Sequence, residues 1–275
     1  MTAPALILLA GAFSDERSVQ TVHALRTRMQ VLRPGIQVHL VFISEMPESA
    51  HVILKEVATS GINEAVFVPL DLVRSLEPEA GVQELLAGLR AAFPALHIAL
   101  SHPIGPAGEL LAALDSKIRQ ALSAAGVREV DAVVLAAPES GDARGNALLA
   151  RRARQWHNHH RLPAQVALAD GTGLNVAQAI AALRAQGRRA IVVGSFYLAA
   201  NDAYRSMAEM ALRSGALAVG APISTDERLM DVIMARYAVA ALDLLEEVDA
   251  APREREVPEV TAPATTSEHV EQPSS

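Results

Sequence analysis

The chain has 275 residues, 51% of them hydrophobic, and a formal net charge of −7, which suffices for one large core or two modest ones. The absence of cysteine excludes disulfides, thiolate metal sites and iron–sulfur ligation, and the expected location is the cytoplasm. The only lysines are Lys55 and Lys117, the 22 arginines are scattered and aromatics make up 3%, so neither a basic face nor a stacking platform for nucleic acid is expected.

From the start, Met1-Thr2-Ala3-Pro4 leads directly into an apolar run, and no run reaches the ~18 residues that span a bilayer, so neither a signal peptide nor a membrane anchor is expected. Short apolar runs then alternate with amphipathic stretches, the pattern of parallel strands covered on both faces. Strands are expected at roughly 4–10, 36–43, 64–70 and 96–101, interleaved with helices at roughly 16–32, 48–60, 79–92 and 107–124. A second series follows, with strands at roughly 131–137, 164–169, 189–197 and 216–221 and helices at roughly 143–157, 174–186, 202–214 and 226–247. Ser14 is placed to cap the first helix, Pro47 and Pro106 stand at helix entries, and Asn175 precedes an apolar-periodic run. From Ala250 the chain turns to Pro, Glu, Thr and Ser with almost no large apolar side chains, which predicts a disordered tail over 250–275.

The two series are one pattern written twice. Leu6-Ile7-Leu8-Leu9-Ala10-Gly11 before Ser14 answers Ala132-Val133-Val134-Leu135-Ala136-Ala137 before Ser140, 126 residues on. Gly61 before Glu64-Ala65-Val66-Phe67-Val68-Pro69 answers Gly187 before Ala190-Ile191-Val192-Val193-Gly194-Ser195 at the same offset. At Pro103-Ile104 against Pro222-Ile223 the offset has fallen to 119, so the second copy lacks about seven residues between its third and fourth strands. The expected architecture is α/β, two tandem doubly wound parallel-sheet lobes over residues 1–125 and 126–249, with a ligand cleft between them.

Ligands of such sheets sit beyond the carboxyl ends of the strands. At those positions the chain carries Gly11-Ala12-Phe13-Ser14, then Val68-Pro69-Leu70-Asp71-Leu72, then Pro103-Ile104-Gly105, and later the helix ending Met234-Ala235-Arg236-Tyr237. In this order the residues resemble the class II sirohydrochlorin chelatases of the CbiX/SirB type in their long, two-lobed form, over roughly residues 4–246. The resemblance implies a chelatase fold and an ancestral insertion of Fe2+ or Co2+ into a tetrapyrrole. It also implies two histidines, because neutral imidazole binds such ions and accepts pyrrole protons. Here the first position is Ala12, where the family has histidine in a Gly-His-Gly-Ser turn, and the second is Glu77. In the second lobe the equivalents are Pro138 and about Ala203, so no imidazole stands at a matched position.

Two readings follow. One is a divergent chelatase in which Glu77 or His102 acts in catalysis and Glu77 and Asp71 hold the metal; the other is a non-catalytic tetrapyrrole-binding or protein-interaction module on the same scaffold. Glu77, Asp71 and Glu79 on one loop are also what a solvated turn looks like, and His102 beside a proline is also a turn residue. A tetrapyrrole rich in carboxylates calls for arginines, and Arg17, Arg74, Arg144 and Arg205 all follow strand ends; with Ser14 they form the candidate tetrapyrrole-binding set. The cluster His157-Asn158-His159-His160 falls on the opposite, amino-end face and reads as surface. The loop Asp170-Gly171-Thr172-Gly173-Leu174-Asn175 lacks the spacing of a dinucleotide fingerprint and reads as a turn. No Gly-x-Ser-x-Gly elbow supports hydrolase chemistry. A small-molecule partner and a monomer or weak homo-oligomer are expected.

Overall fold

The computed structural model describes residues 2–11, 13, 15–139 and 141–250, excluding the side chains of Leu245 and residues 247–250. Ala12, Ser14, Ser140 and the expected tail from residue 251 onward lie outside the described residues. The first repeat runs β1 (Ala5–Ala10), α1 (Glu16–Leu32), β2 (Val38–Phe42), α2 (Glu48–Thr59), β3 (Glu64–Pro69), α3 (Val82–Ala92), β4 (His97–Leu100) and α4 (Leu110–Ala124). The second runs β5 (Ala132–Ala137), α5 (Ala143–His160), β6 (Ala164–Leu168), α6 (Val176–Ala185), β7 (Ile191–Ser195), α7 (Asp202–Arg213), β8 (Ala218–Val219) and α8 (Glu227–Ala250). Each repeat forms a four-stranded parallel sheet, in the orders β2-β1-β3-β4 and β6-β5-β7-β8. The eightfold strand–helix alternation thus produces the expected doubly wound α/β architecture twice.

The strands read as unbroken apolar runs because both of their faces are covered. Leu6, Leu8 and Ala10 of β1 and Val133, Leu135 and Ala137 of β5 turn toward one shared core lying between the sheets. Ala5, Ile7 and Leu9 turn the other way, into an outer core closed by α2 and α3. Ala132, Val134 and Ala136 do likewise beneath α6 and α7.

This alternation corrects the repeat offset. If 126 held at the first strand, Leu6 of the central core would match Ala132 of an outer core. Facing residues match only at 127, so Leu6 answers Val133, and the caps agree: Asp15 accepts from Ser18 N at 3.0 Å and Asp142 from Gly145 N at 2.6 Å. At the second and third strands the offset is 126, with Val38, Leu40 and Phe42 answering Ala164, Val166 and Leu168. A one-residue slip reverses every side chain of a strand, which is why the faces decide the register. The cap of α1 is therefore Asp15 rather than the expected Ser14, and the counterpart of position 12 is Glu139 rather than Pro138.

The closing helix of each repeat packs on the other repeat's sheet: α4 lies on β7 and β8, and α8 on β3 and β4. Ile118 of α4 sits against Gly194 and Gly220, and Trp156 of α5 closes on Gly194, where a Cβ would run into the indole. Asp115 of α4 accepts the Trp156 indole N–H at 2.5 Å and faces His160 Nε2 at 3.1 Å. The histidine cluster thus serves this junction at the amino-end face. His157 is satisfied by the Leu162 carbonyl at 2.8 Å, and the His159 and His160 rings stack edge to face. From the other side, Arg236 of α8 donates to the Pro103 and Ile104 carbonyls, each at 3.0 Å, and Tyr237 donates to the Pro4 carbonyl at 2.7 Å. Among the described residues no helix is long and apolar enough to cross a membrane.

Candidate functional site

The carboxyl ends of β1, β3, β5 and β7 converge on a cleft of about 300 Å3 between the repeats. Gly11, Leu70, Asp71 and Glu79 line it from the first repeat, and Glu139 and Tyr197 from the second. The two sides are built differently because the loop from β3 to α3 spans residues 70–81, whereas its counterpart from β7 to α7 spans only 196–201. The roughly seven residues missing from the second copy are missing here.

The long loop is organised by two carboxylates. Asp71 folds back on its own turn, accepting the N–H groups of Val73 at 2.8 Å and Arg74 at 2.9 Å through Oδ1, while Oδ2 faces Arg74 Nε at 3.4 Å. Asp142 does the second part from the other repeat. Its Oδ1 caps α5, and its Oδ2 accepts three successive backbone N–H groups of the loop: Ser75 at 2.8 Å, Leu76 at 2.6 Å and Glu77 at 3.2 Å. Burial pushes the Asp142 carboxyl up, but the four N–H groups outweigh burial and hold it far below the usual carboxylate range. The approach is close enough that a Cβ at either Gly141 or Gly145 would run into the Val73 carbonyl. Beneath the loop, Gly105 takes φ +66, where a Cβ would press on the Arg74 carbonyl at 3.0 Å, and its N–H donates to the Asp71 carbonyl at 2.9 Å. The Pro103-Ile104-Gly105 landmark is thus the seat of the loop.

This geometry sorts the sequence candidates. Asp71 lines the cleft, with its carboxylate already engaged by its own turn and Arg74. Glu77 is exposed and does not line the cleft, its N–H held by Asp142. His102 is likewise exposed and outside the cleft, its Nδ1 resting 3.1 Å from the Leu76 carbonyl, so it behaves as the turn residue. Arg17 and Arg144 are exposed in the first turns of α1 and α5. Arg205, in the first turn of α7, bonds Asp202 at 2.5 Å and lies 3.8 Å from Asp15 across the repeats. None of the four arginines lines the cleft itself. Ser14 and Ala12 lie outside the described residues. Among the described residues no group of three or more His, Asp or Glu is placed to hold a metal ion.

Three residues that matter here were not singled out from the sequence: Asp142, Glu139 and Tyr197. Asp142 between two glycines is legible as a helix cap, but its hold on the other repeat is not. Glu139 was hidden by the one-residue slip. Burial raises its proton affinity, Asp71 raises it further, Arg74 opposes, and Glu79 and Asp170 add to the rise. Tyr197, the counterpart of Asp71, is 2% exposed, and its hydroxyl has no partner among the described residues. Burial pushes that phenol well above its usual range.

Residues 5–121 match the family model named CbiX. Among solved structures, the chain is similar to SirB from Bacillus subtilis with Fe3+, at 14% identity and a TM-score of 0.69 over 89% of this chain and 98% of that one. SirB from Bacillus subtilis subspecies spizizenii in complex with cobalt matches at 13% identity and 0.69, over 87% and 96%. CbiX, described as the terminal enzyme for biosynthesis of siroheme in denitrifying bacteria, matches at 18% identity and 0.54, over 86% and 99%. No curated protein matches in sequence. The first repeat thus carries the pattern of the CbiX family model over residues 5–121, and along most of its length the chain has the two-repeat fold of these chelatase structures.

Proposed function

We propose that this protein is a tetrapyrrole-binding member of the chelatase family whose cleft has lost the histidine-based insertion of Fe2+ or Co2+. The observation that carries the reading is a cleft at the strand ends with no imidazole in its described lining. Insertion of a divalent ion releases two pyrrole protons, and neutral imidazole suits both tasks, as ligand and as proton acceptor. Where the resemblance places those groups, the chain has a methyl group at Ala12 and, at Glu77, a side chain outside the cleft lining. Exposed Arg17 and Arg144, on first turns at the carboxyl-end face, are suited to the carboxylates of such a ligand.

A second reading, a working but divergent chelatase, is favoured by Glu139. A carboxylate whose proton affinity is raised is a better acceptor near neutral pH than an ordinary one. In that reading Glu139 takes one pyrrole proton at a time and returns it to solvent, while the electron pair left on nitrogen binds the metal, which is substrate. Spectrophotometric titration with sirohydrochlorin, with and without Co2+, separates the two. Saturable binding with no insertion above background supports the first reading; turnover lost in Glu139→Gln supports the second. No binding at all overturns both.

A further inference from the structure

We infer that the second repeat holds a separate small-molecule site, a hollow of about 330 Å3 at the carboxyl ends of β5 and β6 that takes an uncharged, mainly apolar ligand. It shares no lining residue with the cleft between the repeats, so it stands or falls independently of the proposed function. The hollow arises from a difference between the repeats. In the first, the cross-strand pair Leu9 and Val41, with Ile43 just beyond, fills the outer face of the sheet beneath α2 and α3. In the second, the corresponding pair is Ala136 and Ala167, followed by Ala169. Val176 of α6 and Met207 and Met210 of α7 wall the space.

The lining specifies the ligand's chemistry. Among the described residues no charged side chain lines the hollow, and its polar side chains are Asn175 and Ser206. The Asn175 carboxamide oxygen already caps α6 by accepting from Gln178 N at 2.9 Å. A charged ligand would lose its hydration without gaining a counter-charge, whereas an apolar one gains burial and recovers packing that truncated side chains forgo. Methionines supply adaptable walls. A cavity of roughly 150 Å3 accepts benzene, so this one suits two fused or linked rings.

The test uses the full chain and the neutral fluorophore N-phenyl-1-naphthylamine. Saturable one-to-one binding is expected, and with 13C-methyl-labelled methionine, Met207 and Met210 should shift among the seven methionines. The variant Ala136→Leu with Ala167→Val and Ala169→Ile, which copies the first repeat, should bind at least about tenfold more weakly while keeping its circular dichroism spectrum. Absence of saturable binding, shifts confined to other methionines, or a folded triple variant that binds like the parent would each overturn the inference. Should the triple variant fail to fold, the methionine shifts of the parent decide.

Discussion

Replacing Asp142 by Ala removes one side chain that serves two repeats. Its carboxylate accepts Gly145 N as the cap of α5, and Ser75, Leu76 and Glu77 N from the other repeat. Loss of a helix cap costs about 1 kcal/mol. Leu76 and Glu77 are exposed and their N–H groups can turn to water, but Ser75 is 8% exposed, so its orphaned N–H costs about 1–3 kcal/mol more. The total of about 2–4 kcal/mol corresponds to a drop of roughly 4–16 °C in Tm at about 2–4 °C per kcal/mol. Asp142→Ser separates the terms, because a hydroxyl still caps α5 but is too short to reach the loop. Thermal melts of the three proteins and hydrogen exchange at residues 75–77 are the assay. The pH dependence has a definite sign: the folded carboxyl lies below its unfolded value, so its stabilisation is complete above the unfolded pKa of about 3.9 and is lost as pH falls toward the depressed folded value. The parent should therefore lose more stability than Asp142→Ala between roughly pH 5 and pH 2. A loss under about 1 kcal/mol, with unchanged exchange at residues 75–77, would refute the reasoning.

Gly145→Ala should destabilise by about 2 kcal/mol or more and loosen the same loop in hydrogen exchange, because the new methyl would meet the Val73 backbone carbonyl, which cannot swing aside like a flexible side chain; an unchanged melt would disprove the close approach. Tyr197→Phe should leave stability unchanged or slightly higher, since it deletes a buried hydroxyl without a partner; a fall of more than about 1 kcal/mol would mean that the hydroxyl is satisfied in solution. Arg205→Ala should lower the melting temperature only slightly, and less at high salt, because its 3.8 Å pair with Asp15 joins the repeats across a guanidinium that is 43% exposed; a large, salt-independent drop would show a buried role.

The α/β class, the eight strands and eight helices, and the duplication were legible in the sequence because they rest on local quantities: apolar runs of strand length, helical periodicity, and start signals such as Asn175, which caps α6. The landmarks Val68-Pro69-Leu70-Asp71-Leu72 and Pro103-Ile104-Gly105 were legible too, and the second is a structural seat for the first. What the sequence left undecided depends on which residues face each other. The duplicated runs are so uniformly apolar that an offset of 126 and one of 127 fit the first strand equally well, and only the division of side chains between two cores separates them and brings Glu139 into the cleft. Likewise the resemblance points to Glu77 in the long loop at 70–81, but the loop's direction is set by Asp142 and two glycines some 65 residues away in the chain. Local pattern specifies elements because strand and helix periods are properties of neighbouring residues. The site is assembled by contacts between repeats, and those exist only once the chain is folded.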